Sequence, residues 1–200
     1  MQEYKIGCAL LAAGNSLRFG ANKLCALLNG KSIIRRAMEA IPAQLFCSVV
    51  VVTQYAEIAA LAEEFGFCAL ENSNPSLGIS HSVRLATQAL SYCDGILFLV
   101  GDQPQLSADS VSRLVQMWKQ SPNRIACLGS KGTRGNPNLF PREFFAALLS
   151  LQGDCGGSSV IKAHPDRLTL LEVAENELLD VDTPQALRSM EDAEPPNDGQ

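Results

Sequence analysis

The feature that most constrains the fold is an unbroken apolar run near the start of the chain, which ends abruptly in a small, polar and cationic loop. The run covers residues 6–13, and Gly14 closes it. Such a run is typical of a strand buried on both faces, as in a parallel sheet covered by helices. Gly14 and Gly20 allow positive φ and close approach of backbone amides to a ligand, and Arg18 and Lys23 add two positive charges. The stretch therefore indicates a cradle for a nucleoside triphosphate.

This loop departs from two familiar phosphate-binding patterns. Ala21, rather than Lys, follows Gly20, so the loop is not G-x-x-x-x-G-K-[ST], and it is not G-x-G-x-x-G either. It resembles L-A-A-G-x-S-x-R-M-G-x-x-K, the signature of the nucleotidyltransferase superfamily, with Phe19 in place of Met. The resemblance points to the molybdenum cofactor cytidylyltransferases of the MocA-like type, relatives of the MobA guanylyltransferases. The competing interpretation is a Gly-rich turn that carries surface cations.

Length and composition favour one globular domain. Two hundred residues suffice for a substantial core, and we predict a single nucleotidyltransferase domain over residues 1–190 and a disordered acidic tail over residues 191–200. The net charge of −5, without a basic stripe, argues against nucleic acid or an anionic membrane as a partner. The N-terminal apolar run is too short to span a bilayer and lacks the features of a signal peptide. We therefore expect a cytoplasmic protein.

The seven cysteines form no metal-binding or disulfide pattern. Their number is odd and no C-x-x-C occurs, which argues against a disulfide framework and against a zinc site. Most lie in apolar runs, where a thiol behaves as a small hydrophobe. Cys155 lies instead in a polar, glycine-rich loop, so we expect it to be exposed. It either contacts a substrate or is a bystander.

Strand-like runs alternate with helical periodicities through the first 120 residues. This order predicts a three-layer α/β/α fold with a mostly parallel sheet and right-handed crossovers, the Rossmann-like nucleotidyltransferase fold. Loops 14–23, 72–82 and 101–104 each follow a strand, and ligands bind at the carboxyl ends of strands in such sheets. Further along, we predict a loop over residues 131–137 and a short strand over residues 178–181.

Two carboxylates are candidates for a metal site. Asp102 follows the apolar run 96–100 directly, and its surroundings resemble the family's hydrophobic-G-D-x-P; Asp182 lies in D-V-D-T-P, which resembles D-I-D-T-P-E-D. The alternative without a ligand is an Asx-turn or a helix N-cap for Asp102 and a helix N-cap for Asp182. The resemblance implies that both carboxylates bind Mg²⁺, a hard cation that takes carboxylates and substrate phosphates. Asp180 matches the first Asp of the second motif.

The resemblance also implies a nucleotide site. Arg18 and Lys23 would bind the triphosphate of CTP and, with Asp102, stabilise the charge that develops around the α-phosphorus, which makes these three the expected catalytic residues. The guanylyltransferases carry L-A-G-G where this chain has L-A-A-G, and the methyl group of Ala13 would narrow the base site in favour of a pyrimidine. The expected nucleotide-binding residues are Leu11, Ala12, Ala13, Gly14, Arg18, Lys23, Gly78, Ser82 and Asp102.

Two later segments resemble the family's acceptor-facing motifs, G-H-P-V-L-F and L-x-G-D-x-G-A-R. Here Asn136 replaces the His and Ser158 replaces the Arg, which leaves the acceptor open, because Arg is the usual bidentate ligand of a phosphate. The expected acceptor-binding residues are Asn136, Pro137, Gly153, Asp154, Cys155, Gly156 and Gly157.

The function that the resemblance implies is Mg²⁺-dependent transfer of CMP from CTP to the terminal phosphate of molybdopterin that carries molybdenum, with release of pyrophosphate. One alternative is nucleotidyl transfer to another phosphorylated acceptor, or from GTP. A second alternative, of another class, is an assembly chaperone that carries the molybdenum cofactor to a molybdenum hydroxylase apoenzyme with little turnover. The expected partners are CTP, a molybdopterin-type acceptor and, in the chaperone interpretation, the hydroxylase.

Overall fold

The structure is a computed structural model that describes residues 3–14 and 22–193. Its strands are β1 (Ile6–Ala12), β2 (Leu27–Leu28), β3 (Lys31–Ser32), β4 (Ser48–Thr53), β5 (Cys68–Glu71), β6 (Gly95–Val100), β7 (Ile125–Ser130), β8 (Thr133–Pro141) and β9 (Leu168–Glu172). Its α-helices are α1 (Ile33–Glu39), α2 (Ala56–Glu64), α3 (Ile79–Ala89), α4 (Ala108–Gln120), α5 (Phe145–Leu149), α6 (Gly157–Ala163) and α7 (Pro184–Ala193).

Seven of these strands form one mixed sheet in the order β5-β4-β1-β6-β8-β7-β9. Only β8 runs antiparallel to its neighbours β6 and β7; the other pairings within this sheet are parallel. β1 lies between β4 and β6, and the side chains of residues 8–10 are fully buried. The predicted mostly parallel sheet is confirmed, and the first strand lies in its interior.

Helices cover both faces of the sheet. One apolar cluster joins one face to α1, α2, α4 and α7, with Trp118 and Leu114 of α4 almost fully buried. A second cluster joins the other face to α3, α5 and α6 through residues such as Val83 and Leu148. The three-layer α/β/α fold predicted from the sequence is therefore confirmed. None of the described helices is both long and apolar enough to cross a membrane.

The helix starts follow from local sequence chemistry. Ser107 accepts a hydrogen bond from the backbone N–H of Ser110 at 3.1 Å and so caps α4, and Ser32 caps α1 in the same way. At the last helix the cap is Thr183, whose hydroxyl accepts from the N–H of Ala186 at 3.1 Å. This leaves the carboxylate of Asp182, the alternative cap, available for other contacts.

Two predicted elements differ from the structure. The segment predicted as a loop over residues 131–137 is largely strand, since β8 begins at Thr133. Its Gly, Asn and Pro residues hide the strand from sequence patterns, and the Asn136–Pro137 peptide bond is cis. Residues 178–181 form no strand; a 3₁₀ helix spans Glu175–Leu178 instead, because the backbone there bonds to residues near the end of β6.

The C-terminal region also extends further than predicted. α7 continues to Ala193, three residues into the segment expected to be disordered, and Met190 anchors it in the core. Residues 194–200 lie outside the described part of the chain.

All seven cysteines are free thiols, as expected. Cys155 is exposed, but Cys25, Cys47 and Cys68 are exposed as well, so exposure does not set Cys155 apart. The apolar sequence neighbours of those three cysteines predicted that they would be buried. Short or edge elements, however, bury only some of their residues.

Candidate active site

The carboxyl ends of β1 and β6 open into two adjoining cavities. The first, of about 360 Å³, lies against the end of β1 and the start of α3. The second, of about 310 Å³, lies between β8, α3 and the segment that leads into α6. Ligands of open α/β sheets bind at this edge, and the loops singled out in the sequence meet here.

Most of the predicted nucleotide-binding residues line the first cavity together. Arg18 lies outside the described residues. The predicted residues that line the cavity are Leu11, Ala12, Ala13, Gly14, Lys23, Gly78, Ser82 and Asp102.

Lys23 joins the two predicted metal-binding carboxylates. Its Nζ lies 2.8 Å from Oδ2 of Asp102 and 3.0 Å from Oδ1 of Asp182. Partial burial of Lys23 lowers the pKa of its ammonium, but hydrogen bonds and charge from Asp102 and Asp182 outweigh this effect and raise the pKa overall. Lys23 is therefore charged at neutral pH, and the two carboxylates converge on one cation.

The chain around Asp180 holds Asp182 at this position. Gln103, which follows Asp102, donates from Nε2 to the carbonyl of Leu178 at 3.1 Å and to Oδ1 of Asp180 at 2.9 Å. The N–H of Val181 donates to the carbonyl of Asp102 at 2.9 Å. Desolvation and the negative charge of Asp102 raise the pKa of Asp180 despite the Gln103 hydrogen bond. The C-terminal motif is thus tied to the end of β6.

Three consecutive side chains at the end of β4 and just beyond it hold the start of the nucleotide loop, and sequence reasoning missed them. Thr53, Gln54 and Tyr55 donate in turn to the backbone carbonyls of residues 12–14, at 3.1, 2.8 and 3.1 Å. A carbonyl oxygen carries two lone pairs, so one such hydrogen bond does not by itself exhaust its capacity to accept. The available signal was the run of polar residues immediately after a buried strand.

The start of α3 forms another wall of the first cavity. Gly78 has φ of +79°, and Ser82 accepts from Nδ2 of the buried Asn72 at 3.0 Å. His81, expected in a loop, lies within α3, where its Nδ1 is 3.3 Å from the guanidinium of Arg84. His81 therefore packs on its own helix and does not line either cavity.

The second cavity gathers part of the predicted acceptor set. Of these residues, Asn136, Asp154, Gly156 and Gly157 line the cavity. The other three, Pro137, Gly153 and Cys155, do not line it, and the carbonyl of Gly153 accepts from the N–H of Ser80 at 3.2 Å. The cavity also has an apolar floor, in which the rings of Phe98 and Phe140 meet edge to face at 6.0 Å.

Comparison with known proteins assigns the family. The sequence profile of the MobA-like NTP transferase domain matches residues 8–168, which include β1, both cavities and most of the sheet. The chain belongs to this family. This match confirms the nucleotidyltransferase assignment made from the loop motif. It also confirms the prediction that the protein is a transferase.

Two curated proteins and one solved structure illustrate the range of the similarity. The purine catabolism protein PucB of Bacillus subtilis is 29% identical over 195 residues, which cover 91% of this chain and 93% of that protein. A probable molybdenum cofactor guanylyltransferase of Rhodopirellula baltica is 34% identical over 124 residues, 58% of this chain and 57% of that one. The crystal structure of Rv0371c from Mycobacterium tuberculosis, 22% identical, covers 96% of this chain and all of its own, with a TM-score of 0.79.

The two cavities of this MobA-like transferase share a wall. Leu11, Ile79, Val100 and Asp154 line both of them. Gly78 packs directly on this wall, because a Cβ there would overlap the carbonyl of Gly153 and the carboxylate of Asp154. Ligands bound in the two cavities would therefore lie next to each other.

The residues at the mouth of the first cavity fit a divalent cation. Within the described residues, three or more potential metal-ligating side chains nowhere gather into a cluster. Asp102 and Asp182 nevertheless direct oxygens at one point, which the ammonium of Lys23 occupies. Two carboxylates completed by phosphate oxygens and water are the ligand set that Mg²⁺ commonly takes.

Proposed function

We propose that this MobA-like transferase transfers CMP from CTP to the terminal phosphate of molybdopterin carrying molybdenum, and releases pyrophosphate. The observation that carries the proposal is the meeting of Lys23, Asp102 and Asp182 at a cavity that shares a wall with a second, aromatic-floored cavity. A donor nucleotide in the first cavity and a flat acceptor in the second would bring their phosphates together at this wall.

The reaction makes one phosphoanhydride bond and breaks another. An oxygen of the acceptor's phosphate monoester forms a bond to the α-phosphorus of CTP, while the bond from that phosphorus to the bridging α,β-oxygen breaks. The bonding electron pair leaves with pyrophosphate. Because the second pKa of a phosphate monoester is about 6, the nucleophile is largely deprotonated at neutral pH. The protein therefore needs to supply charge stabilisation and orientation rather than a base.

Each of the following residues at or near the first cavity has a role in this proposal. Lys23 binds the triphosphate, with Arg18 as a second cation, and so stabilises charge on the transferred and leaving phosphates. Asp102 and Asp182 would hold Mg²⁺, which when bound neutralises phosphate charge and aligns the leaving group. Gly78 and Ser82 lie where the ribose and base would be covered.

The base site favours a pyrimidine in this proposal. Thr53 and Gln54 fix the carbonyls of Ala12 and Ala13, which would accept from the exocyclic amine of cytosine. The methyl group of Ala13 reduces the room for a purine. The relative named as a guanylyltransferase makes GTP the alternative donor to be tested.

The chaperone remains a second candidate because the acceptor motifs of this chain are altered at Asn136 and Ser158. The relative that matches nearly the whole chain is named for purine catabolism rather than for nucleotidyl transfer. A protein that delivers a molybdenum cofactor to a hydroxylase would bind the pterin in the second cavity and turn over little CTP.

One experiment separates these functions. Purified protein is incubated with α-³²P-labelled CTP or GTP, Mg²⁺ and molybdenum-loaded molybdopterin, and labelled dinucleotide is resolved by chromatography. Many turnovers with CTP and few with GTP support the proposal, whereas the reverse preference identifies a guanylyltransferase. Tight pterin binding without dinucleotide, combined with transfer of the cofactor to a hydroxylase apoenzyme, identifies the chaperone.

A further inference from the structure

Arg134 is the cationic side chain of the second cavity. Five residues of β8 line this cavity, namely Arg134, Gly135, Asn136, Asn138 and Phe140, whereas Leu139 faces the core on the other side of the sheet. Arg134 is half-buried. None of the predicted site residues of this cavity supplies a positive charge.

The guanidinium of Arg134 has a neutral partner. It donates to the hydroxyl of Ser158 at 2.6 Å, and within the described residues it forms no ion pair with a carboxylate. By contrast, Arg35, Arg142 and Arg167 each pair with an acidic side chain. A guanidinium carries five N–H donors in a planar fork, and a half-buried charge without a counter-charge is costly. The arrangement suits an anionic ligand.

The direction of β8 brings Arg134 toward the carboxyl end of β6, after which Asp102 follows. The two strands run antiparallel, and their paired register ends at Phe98 opposite Asn138. Beyond that pair β8 is irregular, because the step of four residues from Arg134 to Asn138 corresponds to a step of only two residues along β7. A ligand with its ring on Phe140 and its phosphate at Arg134 would direct that phosphate toward the edge of the sheet where the carboxylates lie.

The residues in the middle of the cavity-lining part of β8 carry amide groups. Nδ2 of Asn138 donates to Oδ1 of Asn136 at 2.5 Å, and Oδ1 of Asn138 has no partner among the described residues. Asn138 is only 8% exposed. An unpaired buried acceptor costs free energy until a donor reaches it, and the N–H edge of a heteroaromatic ring that lies on Phe98 and Phe140 is such a donor.

We propose that Arg134 recognises the phosphate of the acceptor, through paired N–H groups of its guanidinium, while the Asn136–Asn138 pair reads the ring edge. The proposal rests on the proposed function for its choice of acceptor. It assigns the substrate class as a phosphorylated, flat heterocycle with amide-like edges, and it makes Arg134 a specificity-determining residue. Arg should serve better here than Lys, since only the guanidinium fork pairs with two phosphate oxygens at once.

The test compares two fluorescent probes, neopterin monophosphate and neopterin, which differ by the phosphate alone. Binding is measured by quenching of pterin fluorescence in wild type, Arg134→Ala, Arg134→Lys and the control Arg113→Ala. Arg113 is an exposed arginine of α4 outside both cavities. We expect wild type and Arg113→Ala to prefer the phosphorylated probe by about tenfold or more, the scale of one charge-assisted hydrogen bond.

In Arg134→Ala this preference should disappear, and in Arg134→Lys it should be intermediate, while the affinity for neopterin itself stays the same. Thermal melts establish that the variants are folded, and the conservative Arg134→Lys keeps the test valid if the alanine variant is unstable. A preference that survives in Arg134→Ala overturns the proposal, as does a wild-type protein without any preference. Failure of the proposed function appears separately, as absence of dinucleotide from CTP.

Discussion

The ammonium nitrogen of Lys23 lies 2.8 Å from Oδ2 of Asp102, at a point that Asp182 also approaches to 3.0 Å. Lys23 and Asp102 line the first cavity, and Asp182 reaches Lys23 from outside it. The ammonium held there offsets part of the repulsion between the two carboxylates. A divalent cation that binds the same carboxylates must displace the lysine, which would then be free to contact phosphate oxygens.

Replacement of Lys23 by Met should therefore tighten divalent-cation binding in the absence of nucleotide. Removal of a competing positive charge at hydrogen-bonding distance should raise the affinity for Mn²⁺ on the order of tenfold, while CTP binding weakens. Titration of Mn²⁺ followed by electron paramagnetic resonance measures the first effect. Lys31→Met is the control, because Lys31 pairs with Glu39 on the surface. Unchanged or weaker Mn²⁺ binding in Lys23→Met would show that the carboxylates do not form the metal site.

Asp102→Asn should leave the fold intact and impair catalysis. The side chain is 23% exposed, and the amide keeps its size. Loss of its charge should lower kcat by roughly 10²-fold or more, the scale of removing one strong electrostatic element. Thermal melting and pyrophosphate release are measured together, with Asp109→Asn on the exposed face of α4 as the matched control. Wild-type turnover at saturating substrate in Asp102→Asn would exclude the proposed role.

Gly78→Ala should damage both cavities, and Gly66→Ala provides a matched control. Both glycines have positive φ, +79° and +73°, but ψ of Gly78 is −178°, a combination that is essentially restricted to glycine, so Gly78→Ala carries the larger backbone strain, of about 1–3 kcal/mol. A Cβ at position 66 meets open space, whereas at position 78 it overlaps the Gly153–Asp154 segment. We expect KM for CTP and for the acceptor to rise only in Gly78→Ala, even after melts have been used to match the stability of the two variants. Equal KM values in the two variants would mean that neither cavity depends on the contact between Gly78 and the Gly153–Asp154 segment.

Asp180→Asn should stabilise the ligand-free protein at neutral pH. Desolvation and the nearby carboxylate of Asp102 raise the pKa of Asp180 in the folded state. The wild type therefore loses stability as the pH rises from the ordinary Asp pKa of about 4 through the raised value. Asn behaves like the protonated acid and still accepts from Gln103. The gain should be about 0.5 kcal/mol or less, since the site is partly exposed, and it should vanish near pH 3. Urea unfolding at pH 3, 5 and 7 measures it; a gain that is independent of pH would contradict this account.

Much of the fold follows from local patterns that the core reinforces. The run 6–13 became an interior strand because every residue in it could be buried, and the capping serine and apolar spacing of α4 fixed that helix. The pattern failed where tertiary contacts override local preference. β8 is polar in the first half of its sequence yet lies between two strands, and residues 178–181 bond to Gln103 and Asp102 instead of joining a strand.

The candidate site likewise contains residues that could be predicted from the sequence and residues that could not. Residues in the loops that follow parallel strands, such as Lys23 and Asp102, could be predicted, because the carboxyl ends of these strands meet at one edge. The residues that hold this edge in place, Thr53, Gln54 and Tyr55, could not, since each acts through a hydrogen bond to a carbonyl distant in sequence. The loss of the family's Arg at Ser158 suggested an altered acceptor, yet the structure shows that the guanidinium of Arg134 contacts the Ser158 hydroxyl. A substitution at one position can be complemented by a residue that only the fold brings near.

The most direct test of the proposed function is the amount of pyrophosphate released per protein molecule with CTP, Mg²⁺ and molybdenum-loaded molybdopterin present together. A coupled phosphate assay follows the release, with the acceptor omitted, the metal chelated or GTP substituted in parallel reactions. The account predicts many turnovers in the complete mixture and little release in each of the other three. Release that is absent from the complete mixture, or equal with and without the acceptor, would contradict it.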